Sequence, residues 1–592
     1  MTILASLVNA YDRLSDAPPI GYSSEKIGFV VSLNEDGSVA SVSDLREGEG
    51  KRMRARQMLV PQPVKRTAGV APNFLWDKTS YVLGVTAGEG KRTADEHAAF
   101  VERHLTDIGG TDDAGLRALL SFLQSWTPER FGEPVWPEDM KDQNVIFALE
   151  SDRLAHIYIH DRPAAKALWA RLSTAGDGGE QICLVTGDKM PPTRLHPSIK
   201  GVWGAQSSGA ALVSFNLDAF TSYGHEQGAN APVSENAAFK YTTVLNRFLE
   251  RDSGHRVQVG DASTVFWADS ANMKRAEEAE SLFSMFLEPP GEETGGTADD
   301  DKAETRKIEV TLKRIREGQS LASIKPDLVE GVRFYVLGLS PNAARLSVRF
   351  FFSDTFGALT GNYQRYLADV RVEPPPKDGF APLWRYLQET AVLGKRENVQ
   401  PNLAGEWMRA ILSGTHYPLS LMAAVLTRIR ADGNVNALRV GILKALLIRN
   451  FNMKEVPVAL DPENGDRGYL LGRLFAVYEE MQRAALGGRV NATIRDKFYG
   501  SASAQPRKVF AVLENNSANH LAKVRKTSPG REYNLKKLQD EIMDRMNPND
   551  DPYPSSLRAQ EQALFGLGYH HQHSNFFKPK SDEATIQGGV EE

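Results

Sequence analysis

The chain has 592 residues, 41% of them hydrophobic and 24% charged, with a formal net charge of −5. That length exceeds what one core supports and calls for roughly three or four folding units, while the composition excludes a largely disordered or fibrous protein. The single cysteine, Cys183, excludes an internal disulfide and a multi-cysteine zinc site, and the negative balance argues against a protein that coats nucleic acid over its whole surface.

The opening "MTILASLVNAYDRL" carries no basic leader and meets a charge at Asp12, so it reads as an amphipathic helix. In "KIGFVVSLNEDGSVASVSDL", Ile27, Phe29, Val31 and Leu33 alternate, an Asn-Glu-Asp-Gly turn follows, and a second strand begins at Val39. "MLVPQPVKRTAGVAPNFLWDKTSYVLGV" then alternates short apolar strands with a projecting loop at Pro61 to Asn73. Helices are expected at Ala94 to Leu105 and Asp113 to Trp126. The apolar run around Cys183 points to a buried, inert thiol.

The longest neutral stretch, "QSSGAALVSFNLDAFTSYGHEQGANAPVSE" (Gln206 to Glu235), reads as a strand at "ALVSF", an extended loop with pivots at Gly224 and Gly228, and a helix capped by Ser234. In that helix Ala238, Tyr241, Leu245 and Phe248 form the buried stripe. Such a loop can satisfy its own backbone; alternatively its Gln, Asn and Ser groups read base edges without the indiscriminate pull of cations.

An acidic Gly/Pro-rich linker is expected at residues 288–304, separating a DNA-recognition region (1–287) from a hairpin-containing region (305–380). In that hairpin Leu346, Val348, Phe350 and Phe352 share one face, with Arg345 and Arg349 on the other. From 381 to 592 helical periods follow one another, as in "GYLLGRLFAVYEEMQRAALGG", where Leu471, Leu474, Phe475 and Tyr478 share a face and Gly487-Gly488 supplies the stop. The expected fold class is α+β: an N-terminal mixed α/β region with antiparallel hairpins, then a C-terminal helical bundle. No apolar run approaches the ~20 residues needed to cross a bilayer, even "GILKALLIRN" being broken by Lys444, so no membrane partner and a cytoplasmic location are expected.

Catalytic constellations are scarce. "GVTAGEGKR" (Gly84 to Arg92) resembles a phosphate-cradling loop, but its glycine spacing is wrong and Arg92 replaces the metal-binding Ser or Thr. His160-Asp161 is half of a metal-dependent hydrolase site without further ligands, and reads instead as a surface turn before Pro163. His570, His571 and His573 read as polar residues packing a helix end. No metal, cofactor or catalytic residue is therefore expected, with a metal-dependent hydrolase or an architectural scaffold as the alternatives. Basic runs at Lys51 to Arg56, Lys65-Arg66, Arg306 to Arg316 and Arg507 to Lys537 outline a discontinuous polyanion track.

The ordered blocks "GAQSSGAALVSFNLDAFTSYGHEQGANAPVSENAAFKYTTVLN", "VAPNFLWDKTSYVLG", "FYVLGLSPNAARLSVRFF", "YLLGRLFAVYEE" and "FGLGYHHQ" closely resemble the large subunit of the type I-C CRISPR interference complex, Cascade. The resemblance runs essentially from end to end. It implies a non-enzymatic part of a crRNA-guided complex that recognises a protospacer-adjacent motif on double-stranded DNA, helps open the duplex, holds the displaced strand and presents the complex to a helicase-nuclease. It further implies neighbours: the crRNA, the subunit holding its 5′ handle, the repeated crRNA-binding backbone subunits and a small subunit. In this family the small subunit can arise from an internal start. Met453, between two helices, is the candidate, so that 453–592 would correspond to it.

The family's base-contacting residues do not transfer by motif, so the nominations rest on side-chain chemistry. For motif reading they are Lys65, Arg66, Asn73, Gln206, Ser207, Ser208, Asn216, Gln227 and Asn230. For strand holding they are Lys508, Lys523, Arg525, Lys526, Lys536 and Lys537.

Overall fold

The computed structural model describes residues 2–14, 17–48, 53–64, 66, 69–174, 180–287, 310–376, 379, 381–487 and 492–578. The chain is α+β and divides into two compact units: residues 1–199 with 211–247, and residues 200–210 with 248–592. The linker expected at 288–304 and the nominated Lys65 lie outside the described residues.

The first unit is built on a four-stranded sheet of order β3-β2-β6-β5, with β2 at Phe29–Leu33, β3 at Val39–Asp44, β5 at Trp76–Lys78 and β6 at Asn144–Leu149. The expected hairpin is present as the antiparallel β2–β3 pair, whereas β2 runs parallel to β6. All five residues of β2 are buried. The reason is that Phe29, Val31 and Leu33 face a core with Phe100, Leu119 and Phe122, while Val30 packs on the other side with Ile27, Val60 and Trp76. A strand covered on both faces loses the alternation of a half-exposed one. β1 (Tyr22–Ile27) and β4 (Arg56–Pro61) form a separate antiparallel ribbon. The two expected helices are α2 (Thr93–Ile108) and α3 (Ala114–Ser125), following α1 (Ile3–Tyr11). Asp113 caps α3 by accepting the Leu116 N–H at 3.0 Å.

Further along this unit lie α4 (Pro163–Thr174), a short antiparallel pair of β7 (Gln181–Ile182) and β8 (Lys189–Met190), and α5 (Glu235–Phe248). Ser234 caps α5 through the Ala237 N–H at 3.3 Å, and its stripe Ala238, Tyr241, Leu245 and Phe248 is buried as expected.

The second unit carries an antiparallel sheet of order β12-β11-β10-β9, comprising Arg256–Val259, Ala262–Asp269, Arg333–Asn342 and Arg345–Thr355 for β9 to β12. Because β10 pairs with β11 from Ser263↔Leu339 to Asp269↔Arg333, residues 248–287, including α6 (Met273–Leu287), pack with the second unit rather than with the N-terminal region. On β12, Leu346, Phe350 and Phe352 are buried, but Val348 is exposed beside a register break opposite Gly338 and Leu339. Arg349 is drawn to Asp261 at 2.7 Å.

The hairpin is followed by a helix not expected in that region, α7 (Phe356–Val370), and then by the expected succession of α8 (Pro401–Ser413), α9 (Leu419–Asp432), α10 (Ala437–Phe451), α11 (Arg467–Leu486), α12 (Ile494–Ala504), α13 (Pro506–Thr527), α14 (Pro529–Asp544) and α15 (Ala559–Asn575). The residues of α11 from Gly468 to Met481 are all buried, so its apolar stripe is one side of a helix enclosed all round. Met453 follows the left-handed Asn452 between α10 and α11, and its N–H donates to the Leu447 carbonyl at 3.1 Å.

Candidate nucleic-acid interfaces

In the first unit, the loop between β4 and β5 is fastened from within. Asn73 is 4% exposed; its Oδ1 accepts the Val64 N–H at 3.0 Å and its own N–H donates to Asp77 at 2.8 Å. Its carboxamide oxygen therefore braces the loop. Arg66 forms an ion pair with Asp77, donates to the Ala71 carbonyl at 2.8 Å and lies 4.1 Å from the Tyr81 ring centre. Burial nevertheless pushes the Asp77 carboxyl up, against the pull of its amide donors and Arg66.

Arg66 also borders an open cleft of about 550 Å³, walled by Lys78, Lys91 and Arg92, by the hydroxyls of Ser80 and Thr86, and by the carboxylates Glu96 and Asp142. The loop rejected as a nucleotide hydrolysis motif thus forms one wall of a polar basin. Gly84 and Gly90 adopt φ of 69° and 66° there, and Thr86 donates to Asp142 at 2.6 Å. Lys91 is matched by Glu89 at 3.4 Å, whereas Lys78 and Arg92 have no carboxylate partner among the described residues. The basin can hold a phosphate group against two unspent cations. Lys78 and Arg92 are not among the residues expected to read or hold DNA: Lys78 stands alone in the sequence, Arg92 belongs to a loop whose glycine spacing is wrong for a phosphate cradle, and only folding joins them to Arg66.

The neutral stretch divides between the units. "ALVSF" (211–215) forms no strand: Ala211 takes part in an isolated bridge, and Leu212 to Phe215 run as bends and irregular chain with no ladder partner. Gln206, Ser207 and Ser208 sit exposed on a second-unit turn closed by the Gly209 N–H on the Gln206 carbonyl at 2.9 Å. On the same loop Trp203 is 62% exposed, and its N–H donates to Ser263 Oγ at 2.9 Å. Asn216, Gln227 and Asn230 belong to the first unit. Asn216 is exposed; Gln227 Oε1 accepts from Arg194 Nε at 2.5 Å, and Asn230 Oδ1 accepts the Ser222 N–H at 3.0 Å. What they hold up is a turn bearing Tyr223, 98% exposed. The signal available in sequence was an aromatic directly before glycine, in "VWGA" and "SYGH".

On the second unit's outer helices, Lys508, Lys523, Arg525 and Lys526 of α13 are exposed and have no ion-pair partner among the described residues. The opposite face, including Val509, Phe510, Leu513, Leu521 and Val524, is buried, which fixes the cations outward. On α14, Lys536 is paired with Asp540 at 2.7 Å and Lys537 with Glu541 at 3.7 Å, while Tyr533 stands 66% exposed.

Among the described residues no group of three or more His, Cys, Asp or Glu side chains could hold a metal. His160 is not on a surface turn: it is 1% exposed in a 3₁₀ turn, and burial brings its pKa down to about 4. His570 and His571 are buried and held down to about 4 and 3 by desolvation, with His571 Nδ1 3.0 Å from the Tyr469 hydroxyl. Cys183 is 2% exposed; burial raises its thiol pKa, but hydrogen bonds from Ser234 and Thr186 bring it down to about 7. No described helix is long and apolar enough to cross a membrane.

The two units thus present exposed cations, amides and isolated aromatic rings, groups of the kinds that make contacts to nucleic acids, on a chain of negative net charge. The chain belongs to the Cas_Csd1 family of CRISPR-associated proteins, whose family model matches residues 7–577. Among curated proteins none matches the sequence.

Proposed function

We propose that this chain is the large subunit of a type I-C CRISPR interference complex. It recognises the protospacer-adjacent motif on double-stranded DNA, promotes opening of the duplex, holds the displaced strand and supports recruitment of a helicase-nuclease, without chemistry of its own. It works with crRNA, the handle-binding and backbone subunits and a small subunit, for which Met453 is the internal start. Family membership supports the setting. The observation carrying the role is that exposed cations in both units, Lys78 and Arg92 in one and the α13 set in the other, lack carboxylate partners among the described residues. Cations left unspent within the fold are available to phosphates.

In this reading the neutral Gln206–Ser208 turn discriminates and the cations grip. Exchange of a DNA duplex for an RNA–DNA hybrid is nearly balanced, so modest protein contacts decide its direction. Base discrimination of ~1–3 kcal/mol per contact is within reach of one glutamine.

The test compares binding of the assembled complex to duplexes differing only in the adjacent motif. Gln206→Ala is expected to reduce discrimination roughly 5- to 100-fold with overall grip retained. Lys78→Ala with Arg92→Ala is expected to weaken binding to all sequences and lower the salt slope by about 2. Equal wild-type affinity for both duplexes would replace this reading with an architectural scaffold.

A further inference from the structure

The first-unit loop carrying Tyr223 is built to hold one ring out. Its base is strapped to the preceding segment: the Gly228 N–H donates to the Arg194 carbonyl at 3.1 Å, and a Cβ on Gly228 would come within 2.0 Å of the Thr193 carbonyl oxygen. Only glycine permits that approach. Asn230 ties the two arms together, accepting the Ser222 N–H and donating to the Gln227 carbonyl, both at 3.0 Å. The turn closes through the His225 N–H on the Ser222 carbonyl at 2.9 Å.

At the tip, Tyr223 and Gly224 adopt φ of 51° and 75°. Two successive positive φ values suit Asn-Gly or Gly-Gly; a bulky L-residue in the first position is strained. Tyr223 gains no burial in exchange, being 98% exposed. Its turn neighbours Ser222, Gly224 and His225 offer no apolar surround of the kind that frames an aromatic anchor at a protein interface. A rigidly presented, unframed ring on a polar turn has the shape and chemistry to lie against a flat nucleobase, whose π-face needs no further pocket.

We propose that Tyr223 stacks on a base exposed where the target duplex is first parted, so that the ring captures the unpaired state. This rests on the duplex-opening role above and names the residue and contact that would serve it. Stacking differs from reading: it favours opening irrespective of which motif base is present.

The experiment uses the assembled complex and a target carrying 2-aminopurine at the first pair beyond the adjacent motif, whose fluorescence rises on unstacking. Tyr223→Ala is expected to slow opening about tenfold or more, while Tyr223→Phe and Tyr223→Trp stay close to wild type. A target with the first pairs already mismatched should restore the alanine variant to within about twofold, since the step it lacks has been supplied. Motif discrimination should be unchanged, and thermal stability likewise, the ring being free of the fold. Wild-type opening by Tyr223→Ala, or no recovery on the mismatched target, would overturn the assignment. So would failure of Tyr223→Ala to enter the complex, which would make the ring a protein anchor. A wild-type complex that binds both motifs equally yet shows the Tyr223-dependent signal would instead remove motif reading and leave the stacking role standing.

Discussion

Two parts of the same helical bundle use similar residues to opposite ends. Along the α11–α15 seam, buried polar and charged groups find partners inside the fold: Glu479 accepts from the Tyr569 hydroxyl at 2.6 Å, and Arg473 donates to Gln572 at 3.1 Å and to the Pro462 carbonyl at 3.2 Å; beside it, the buried Glu480 of α11 takes Arg531 of α14 at 2.6 Å. On the outer face of α13, four cations have no such partner among the described residues. Buried charge must be satisfied inside the fold or it destabilises it; solvated charge need not be, and so remains available to a ligand. The charges of the seam are therefore spent on the fold, whereas those of α13 stand in solvent.

The seam is most sharply broken through its glycines. A Cβ on Gly568 would lie 2.1 Å from the Tyr469 carbonyl oxygen, and one on Gly472 2.1 Å from that of Phe565, so two backbones meet where no side chain fits. Gly566 differs: the atoms nearest its added Cβ, on Leu443 and Tyr499, are 3.5 Å away. Gly568→Ala is expected to destabilise the second unit by about 3 kcal/mol through forced separation of the helices. Gly566→Ala, two residues away, should be neutral or stabilising by up to about 1 kcal/mol, because alanine is the better helix former. Chemical denaturation of the two variants measures the contrast, and equal losses would show that the seam is not closely packed there.

How much of this was legible follows from the range of the interactions. The β2–β3 hairpin, the Ser234 cap and the succession of bundle helices are local patterns, and each is found in the structure. "ALVSF" failed because strand propensity is realised only beside a ladder partner, which its four residues Leu212 to Phe215 do not find. Placing 248–287 with the N-terminal region overlooked the pairing of β10 with β11 across a long separation. At the candidate site, composition singles out stretches of chain but cannot separate braces from exposed groups. Gln227 and Asn230 are spent on the loop, as is the carboxamide oxygen of Asn73, whereas Gln206 is exposed. Of the cleft around Lys78 and Arg92, only the Gly84 to Arg92 loop leaves a pattern in sequence; its approach to Lys78 and Arg66 is a proximity in space that no spacing records.

Acid probes the seam by a second route. His571 has a pKa of about 3 in the fold, well under its ordinary 6.5, because burial penalises the imidazolium. Below about pH 6.5 the unfolded chain therefore binds a proton that the folded chain refuses, and stability falls as pH drops from there toward 3. The slope for one such group is roughly 1.4 kcal/mol per pH unit. His571→Gln removes the titration while keeping a partner for Tyr469, 3.0 Å from the native ring nitrogen. Between pH 6 and 4.5 the variant should lose stability less steeply than wild type by about that amount per unit. Parallel curves would mean that His571 is protonated within the fold.

The smallest effect on stability should come from α13, where the consequence for binding is largest. Replacing Lys508, Lys523, Arg525 and Lys526 together by alanine removes exposed groups with no ion-pair partner among the described residues, so the unit should lose less than about 0.5 kcal/mol. Their loss should flatten the dependence of single-strand affinity on salt, lowering the log–log slope by up to about 3, since each phosphate contact to a single strand contributes roughly 0.7. Lys536 and Lys537 provide the control on α14, for they already have Asp540 and Glu541 at 2.7 and 3.7 Å. Each must exchange an intramolecular partner for a phosphate, so their double alanine variant should lower the slope by less, charge for charge. Equal effects per cation would show that these exposed i,i+4 pairs hold their lysines too weakly to withhold them from a nucleic acid, and that the distinction between spent and unspent charge applies only in the interior.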